Sequence, residues 1–407
     1  IDTNRQTTMQ LLINRRQVLA LSGAALATPA FAQNTVAWSA IEAKAKGQTV
    51  YFNAWGGAEN INTYIRWAAT EVETRFGVKV EHVKVTDTAD VVKRVRNEKA
   101  AGKLAGTVDL VWINGENFLA MKREGLLFGP FAERLPAYAK VDVQGKPTTR
   151  IDFSEPVDGM EAPWGMAQLT FMADRKRTPL PPQNLAELQT FAKAHPGRVT
   201  YPRPPNFHGT TFVKQLLVDV NANRDALYKP VTPEAFAKAT APLWAALDQL
   251  HPHLWRAGKQ FPQNAEAMRQ MLADGELQLA LTFNPNDASN EIAAKRLADS
   301  VTSYQFNSGT IGNTHFVAIP VNASAPEGAQ VFANFLLGAE AQARKADIAI
   351  WGDPTVLALD KLSPPERARF AAKPLPGQVE KSAPAIPEPH GSWVDPLEKE
   401  WTLRYGA

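Results

Sequence analysis

The sequence predicts an α/β protein built as two lobes, and three observations carry that expectation. Short runs of β-forming residues alternate with stretches of helical periodicity, the pattern of parallel strands joined by crossover helices. Glycine-bearing turns stand directly after several of those strands. Setting an N-terminal leader aside leaves about 375 residues, more than one hydrophobic core usually serves.

The leader comes first in the chain. Arg15 and Arg16 precede an uncharged, mostly apolar run at 18–27, and the small-residue site Ala30-Phe31-Ala32 follows. A basic head, a short apolar core and an A-x-A exit make a secretory signal peptide, and the arginine pair points to twin-arginine export. The run is too short to span a bilayer. Cleavage is expected after Ala32, and Met9 is the expected natural start, which makes 1–8 non-native. The chain has no cysteine, so disulfides, thiolate metal sites and a lipoprotein anchor are all excluded. An exported protein with no anchor points to the periplasm. Arg5, Arg15, Arg16 and Asp2 leave with the leader, so the net charge of +3 falls to about +1. With that balance and no basic block interleaved with aromatics, nucleic acid is not an expected partner.

The elements follow in order. Residues 49–54 form a strand that stops at Trp55-Gly56-Gly57. Residues 58–76 carry Ile61, Tyr64, Ile65, Ala68, Val72 and Phe76 at helical spacing, with Gly77 as the stop. Strict alternation over 78–85 makes a half-buried strand. Asp87 and Thr88 cap a helix reaching Ala101. Residues 108–113 form a third strand, and Asn114-Gly115 turns into another helix. In such sheets ligands sit beyond the carboxyl ends of the strands, so the turns at Trp55 and Asn114 should share one edge. A change of character at 162–165 leads into a strand at 168–172. Helices are expected over 185–194, 210–221, 233–250 and 264–274. Further strands are expected at 277–283 and 315–320, with a turn at 308–312 between them, and a helix at 326–337. The Pro-rich stretch 374–389 is read as irregular.

This order resembles the extracytoplasmic solute-binding proteins of ABC importers. The resemblance is carried by the WGG turn, D-L-V-W at 109–112 and A-P-W-G-M-A-Q-L-T-F-M-A-D at 162–174. It continues through G-E-L-Q-L-A-L-T-F-N-P-N at 275–286, H-F-V-A-I-P at 315–320 and a late helix pair beginning near Ala329. The segments at 203–212, 282–286 and 351–357 are similar to the YnjB-type branch, itself similar to thiamine, polyamine and iron binders. The resemblance implies a type II periplasmic-binding fold, each lobe a mixed, mostly parallel sheet flanked by helices, with solute held in the cleft. It also implies hinge closure, delivery to an inner-membrane ABC permease driven by a separate ATPase, a monomer, no cofactor and no catalysis. The lobes are expected at 33–165 with 284–325, and at 166–283 with 326–407.

Reversible capture of a small polar solute calls for aromatic faces, neutral hydrogen-bonding groups and helix N-termini. Trp55, Trp164 and Trp351 supply faces, each worth about 0.5 to 2 kcal/mol to a cation, although any one of them is as readily core packing. Gly56-Gly57 and Gly309-Thr310-Ile311-Gly312 offer backbone N–H groups to an anion, with plain tight turns as the favoured alternative. Asn114, Gln168, Thr210, Asn284, Asn286 and Thr314 follow strands or start helices, where the plain alternative is a cap or turn. His208 lies in the same 203–212 segment. Glu116, Asp353 and Asp174 are the carboxylates expected to neutralise a cation. Trp55, Asn114, Gln168, Asn284 and Trp351 are the strongest of these. Aromatics with carboxylates lean towards an organic cation such as thiamine or a polyamine, with an oligosaccharide or an anion as alternatives. The paired tyrosines that would suit ferric iron are missing from these turns. The competing reading is an exported hydrolase or cofactor-dependent enzyme, which twin-arginine export favours. His208 with Asp174 or Asp219 would be its acid–base pair and His251-Pro252-His253 its histidine cluster, but no G-x-S-x-G, H-E-x-x-H or nucleotide-binding glycine motif accompanies them.

Overall fold

The computed structural model describes residues 37–370 and 375–406; the leader read at 1–32 lies outside the described residues. The first half of the chain alternates as expected: α1 (Trp38–Ala45), β1 (Thr49–Trp55), α2 (Glu59–Phe76), β2 (Lys79–Val85), α3 (Thr88–Ala100), β3 (Leu110–Ile113) and α4 (Gly115–Arg123). In α2 the apolar stripe Ile61, Tyr64, Ile65, Ala68 and Val72 is buried. The helix ends at Gly77, which takes the left-handed φ of 67° and donates its N–H to the Glu73 carbonyl. Asp87 caps α3 by accepting from the Ala89 N–H.

A short hairpin of β4 (Ile151–Asp152) and β5 (Glu155–Pro156) leads to β6 (Glu161–Gln168) and β7 (Thr170–Asp174). Next come α5 (Leu185–Ala194), α6 (Phe207–Val220), α7 (Pro233–Leu250) and α8 (Ala265–Ala273), then β8 (Leu279–Thr282), α9 (Asp287–Ala293), β9 (Val301–Tyr304) and β10 (Thr310–Ala318). The chain continues through α10 (Pro326–Leu337), α11 (Ala339–Ala346), α12 (Pro364–Ala368), β11 (Ala385–Ile386) and α13 (Val394–Tyr405). Among the described residues no helix is long and apolar enough to cross a membrane.

These strands make two principal sheets. The larger runs β11-β10-β3-β1-β2 with β6 added on β10; β1 is parallel to β2 and β3, while β10 is antiparallel to β3 and β6. The smaller is β8-β7-β9 and is antiparallel throughout. The fold is thus the two-lobed α/β type II architecture, its mixed larger sheet covered on both faces. Leu110 faces one core with Phe52, Trp164 and Phe332, while Val111 and Ile113 face the other with Val91, Val95 and Phe118. A separate core around Phe171, Leu216, Leu243, Leu281 and Trp401 packs on the smaller sheet.

Two departures from the sequence reading have clear causes. Strand β6 covers the stretch 162–165 that reads as a break, because Pro163 lacks an N–H and Gly165 weakens strand propensity. The ladder tolerates them through a register shift: Pro163 faces Phe316 and Gly165 faces His315, leaving Trp164 as the extra residue of a β-bulge. The expected segment boundaries also differ from core membership. Residues 288–306 pack with the smaller sheet and 325–341 with the larger. The chain passes between sheets at Gln168 to Thr170 and returns after Tyr304, whose strand still pairs with Phe171. At the end of the chain, α13 packs again on the smaller-sheet core through Leu397 and Trp401.

Candidate functional site

Because β1, β2 and β3 run parallel, their carboxyl ends share one edge. Trp55, half-buried, and Gly56 close β1 there, and the Gly56 N–H donates to the Val85 carbonyl at 3.2 Å. The starts of α3 and α4 lie on the same edge. Gly115 opens α4 with φ 62° and donates its N–H to Asp152 Oδ2 at 2.7 Å. A side chain at Gly115 would collide with the Phe153 ring. Phe153 and Ser154 are themselves left-handed, with φ of 40° and 63°. Such strain persists only where neighbours over-determine it. Here Ser154 Oγ donates to the Glu388 carbonyl at 2.8 Å and the Gly391 N–H donates to the Phe153 carbonyl at 3.1 Å. Gly391 in turn packs on the backbone of Gly115 and Glu116.

Against this edge stand α6 and α13 from the smaller-sheet core. Thr210 and Lys214 are one turn apart on α6 and so share a face. Thr210 Oγ1 donates to Glu398 Oε1 of α13 at 2.6 Å. The Lys214 ammonium lies 2.7 Å from Glu388 Oε2 and 4.1 Å from the Phe153 ring centre, and both members of the ion pair are buried. Glu388 also accepts from Asn313 Nδ2 at 3.0 Å. Loss of hydration pushes the Glu116 carboxyl up to about 7, Lys214 opposing this and Glu398 and Glu388 reinforcing it. Glu398 is likewise pushed to about 7 by burial, against the Thr210 hydrogen bond and Lys214. Behind α4, burial raises Asp152 and Glu161 well above the carboxylate range, and Asp152 Oδ1 and both Glu161 oxygens have no hydrogen-bond partner. Among the described residues, four carboxyl groups, Glu116, Asp152, Glu388 and Glu398, thus lie within electrostatic reach of one ammonium, Lys214, which is paired with Glu388. Of the four, Glu116 and Glu398 alone keep some exposure to solvent.

The other expected residues fall elsewhere. Trp351 and Asp353 are buried with Trp164 around Lys345. That ammonium lies 4.5 Å from the Trp164 ring and 4.9 Å from Trp351, is 2.6 Å from Asp353 Oδ2, and donates to the Trp164 carbonyl. The chain's own lysine thus occupies those two aromatic faces. Asn284 Nδ2 donates to the Trp351 carbonyl at 3.0 Å and Asn286 Nδ2 to the Gly352 carbonyl at 2.6 Å. Gln168 Nε2 is spread over Thr310 Oγ1 and the Ala383 and Pro384 carbonyls. Thr314, buried, donates to Thr148 Oγ1 at 3.0 Å. Asn114 precedes α4 without capping it, and so stays next to Glu116. Of the expected set the junction gathers Asn114, Glu116 and Thr210, with His208 two residues before Thr210 at the start of α6.

The acid–base pairing imagined for His208 does not form. Asp174 pairs with Arg177 at 2.9 Å, and Asp219 accepts from Gln215. His208 faces Asp287 and Arg269, and burial lowers its pKa to about 4, leaving a neutral imidazole. His251 shares a 2.6 Å hydrogen bond with the Tyr201 hydroxyl, which also accepts from Trp401 Nε1 at 2.8 Å. Among the described residues no three His, Asp or Glu side chains converge at metal-ligand spacing.

Sequence reasoning missed Lys214, Asp152, Glu388 and Glu398. Lys214 carried a signal, since it is the one charge in the apolar run 209–218 of α6, whose residues are all buried. Glu398 had none: it sits in an ordinary charged stretch, and only packing turns it towards Thr210.

Residues 67–359 match the family described as bacterial extracellular solute-binding protein. Protein YnjB of Escherichia coli (strain K12) is 49% identical over 371 residues, 91% of this chain and 94% of its own length. Among solved structures, the periplasmic binding protein AfuA from Actinobacillus pleuropneumoniae, with fructose-6-phosphate bound, superposes with a TM-score of 0.60 at 15% identity over 88% of this chain and 99% of that one. The spermidine/putrescine ABC transporter substrate-binding protein PotD from Streptococcus pneumoniae gives 0.57 at 14% identity over 88% and 98%. At such identities the two structures share the fold. The family match across most of the chain, and YnjB at nearly half identity, go further: this chain belongs to the bacterial extracellular solute-binding proteins.

Proposed function

We propose that this chain is the periplasmic capturing component of an ABC importer, and that it holds a small, positively charged organic solute between α4 and the pair α6 and α13. The chain works as a monomer that delivers its solute unaltered to a membrane permease. The observation that carries this reading is the makeup of the junction: among the described residues, four carboxyl groups share a single ammonium that Glu388 and Phe153 already engage. Carboxyl groups that can ionise beside a cation, and that beside an anion must stay protonated or repel it, favour cations. A sugar phosphate, the ligand in the AfuA structure, would meet the wrong charge here. The spermidine/putrescine binder from Streptococcus pneumoniae is named for solutes of the favoured sign. The described carboxylates do not converge as metal ligands, which favours an extended organic cation over a bare metal ion. Glu116 and Asn114 would contact the solute from one side, Glu398 and Thr210 from the other, with Trp55 at the rim.

Native mass spectrometry of gently purified protein, followed by a thermal-shift panel of polyamines, thiamine, neutral sugars and sugar phosphates, tests this. The expected outcome is a retained amine and stabilisation by organic cations, about 2.7 kcal/mol at a solute concentration a hundredfold above Kd. Stabilisation by sugar phosphates alone would overturn the choice of solute. Chemical conversion of any stabilising compound would overturn the transport reading.

A further inference from the structure

The same junction poses a problem that a solute cation would solve, and the solution involves protons. Glu116 enters from α4, Asp152 from β4, Glu388 from the segment before α13, and Glu398 from α13 itself. The cation facing Glu116, Asp152 and Glu398 is Lys214. Its ammonium is spent on Glu388 at 2.7 Å and on the Phe153 face. Glu116 has one side-chain hydrogen bond, from Asn117 Nδ2 at 3.2 Å, and Glu398 has the Thr210 hydroxyl. Neither has a cationic partner within ion-pair distance among the described residues. Further carboxyl groups face the pair: Asp87 at the start of α3 and Asp395 on α13 both bear on Glu398, while Asp152 and Glu388 bear on Glu116. Desolvated carboxyl groups lacking counter-charge keep their protons, because isolated ionisation away from water costs several kcal/mol.

We propose that capture is an exchange, in which a solute cation enters between Glu116 and Glu398 and up to two protons leave, one from each carboxyl. This rests on the reading of the site as one for an organic cation, and adds how its charge is balanced. The exchange is electroneutral: each O–H bond broken releases a proton to solvent, and the carboxylate left behind pairs with a positive centre of the solute. Glu116 belongs with the larger sheet and Glu398 with the smaller, so a cation held by both carboxylates adds an attraction across the junction. Both groups titrate near neutrality, at about 7, so the exchange operates at the pH of the surroundings rather than only in acid. Lys214 sets the stoichiometry. By neutralising Glu388 within the protein, it leaves two largely buried carboxyls for the solute, and a solute with two positive centres displaces more protons than one with a single centre.

Calorimetry on the full-length protein, with putrescine and tetramethylammonium as probes in buffers of differing ionisation enthalpy at neutral pH, reads proton release directly. The expected result is net release with both, larger for putrescine, and affinity that tightens up to about tenfold per pH unit for each proton exchanged as pH rises towards the carboxyl pKa. E116Q and E398Q should each reduce the release and flatten the pH dependence. Since either variant risks misfolding, carboxyl carbon NMR on unliganded wild-type protein provides a second reading, with two midpoints expected above pH 6. Tight putrescine binding with no proton release, or midpoints at ordinary carboxylate values, would overturn the exchange while leaving the cation reading intact. Failure of both probes alongside binding of a neutral or anionic solute would overturn both.

Discussion

Among the described residues two lysines, Lys214 and Lys345, are taken out of water, and they do different things. Lys345 is sealed between Trp164 and Trp351 and paired with Asp353, and burial lowers its pKa while Asp353 opposes that shift. Removing one partner of a buried pair leaves an uncompensated charge. Lys345→Met should therefore cost about 3 to 5 kcal/mol in urea denaturation, and adding Asp353→Asn should restore part of the loss. A single variant as stable as wild type would show that the pair is solvated. The titrating groups set the pH profile of the unliganded protein. Glu116 and Glu398 lie at about 7 when folded against 4.5 ordinarily, so the stability they contribute is complete below 4.5 and lost as pH rises through 7. His208, His251 and His315 are held neutral, at about 4 against 6.5, so their contribution is complete above 6.5 and lost as pH falls through 4. Between about pH 6.5 and 8 the carboxyls prevail, and the melting temperature of ligand-free protein should fall over that interval. A flat or rising curve at constant ionic strength would contradict the raised carboxyls.

At the scale of elements, α6 and α9 have complementary tasks. Helix α6 is buried along most of its length, so its position is held by packing, and that rigidity aims Thr210 and Lys214 at the junction. Helix α9 and the turn before it work through hydrogen bonds instead. Asn284, Asn286 and Asn290 donate to the carbonyls of Trp351, Gly352 and Ile348, tying the smaller-sheet segment to the turn that carries Trp351 and Asp353. Asn286→Ala removes one of these donors and should destabilise by about 1 kcal/mol, with faster amide exchange confined to the segment around Gly352. Unchanged exchange there would mean the turn is held by the Trp351 packing alone. The bulge at Trp164 explains a missed strand. Pro163 and Gly165 suggest a chain break when read locally, whereas pairing with β10 on either side of the bulge makes a strand of the whole stretch.

For the whole molecule, hinge closure is the expectation that a solute bound between the two sheets raises. The described chain passes between the sheets at Gln168 to Thr170, after Tyr304 and before α13, and such connections permit rotation while restricting sliding. A solute touching both sides favours the closed arrangement by the difference in its affinity for the two states. Small-angle scattering should show a smaller radius of gyration with a stabilising cation than without, and Glu398→Gln should weaken that contraction. An unchanged radius with saturated solute would mean that the protein binds without hinge motion.

Local physics made much of this protein legible from its residues. Helical spacing in 58–76 ends at Gly77 because that residue accepts a left-handed conformation, and Asp87 caps α3 because its short side chain reaches the Ala89 N–H. The parallel β1, β2 and β3 follow from helices of crossover length between them, and with them the shared edge that holds Trp55 and Asn114. The place of Glu116 beside that edge follows in the same way, because α4 starts directly after β3. Only tertiary structure decided the rest. Whether Trp351 meets a solute or Lys345, and whether Glu398 lies at the surface or beside Thr210, depends on partners 6 and 188 residues away in sequence. A side chain's charge and size are written in its identity. The dielectric around it and the counter-charge it finds are properties of the folded neighbourhood, and these separate a sealed ion pair from a site open to solute.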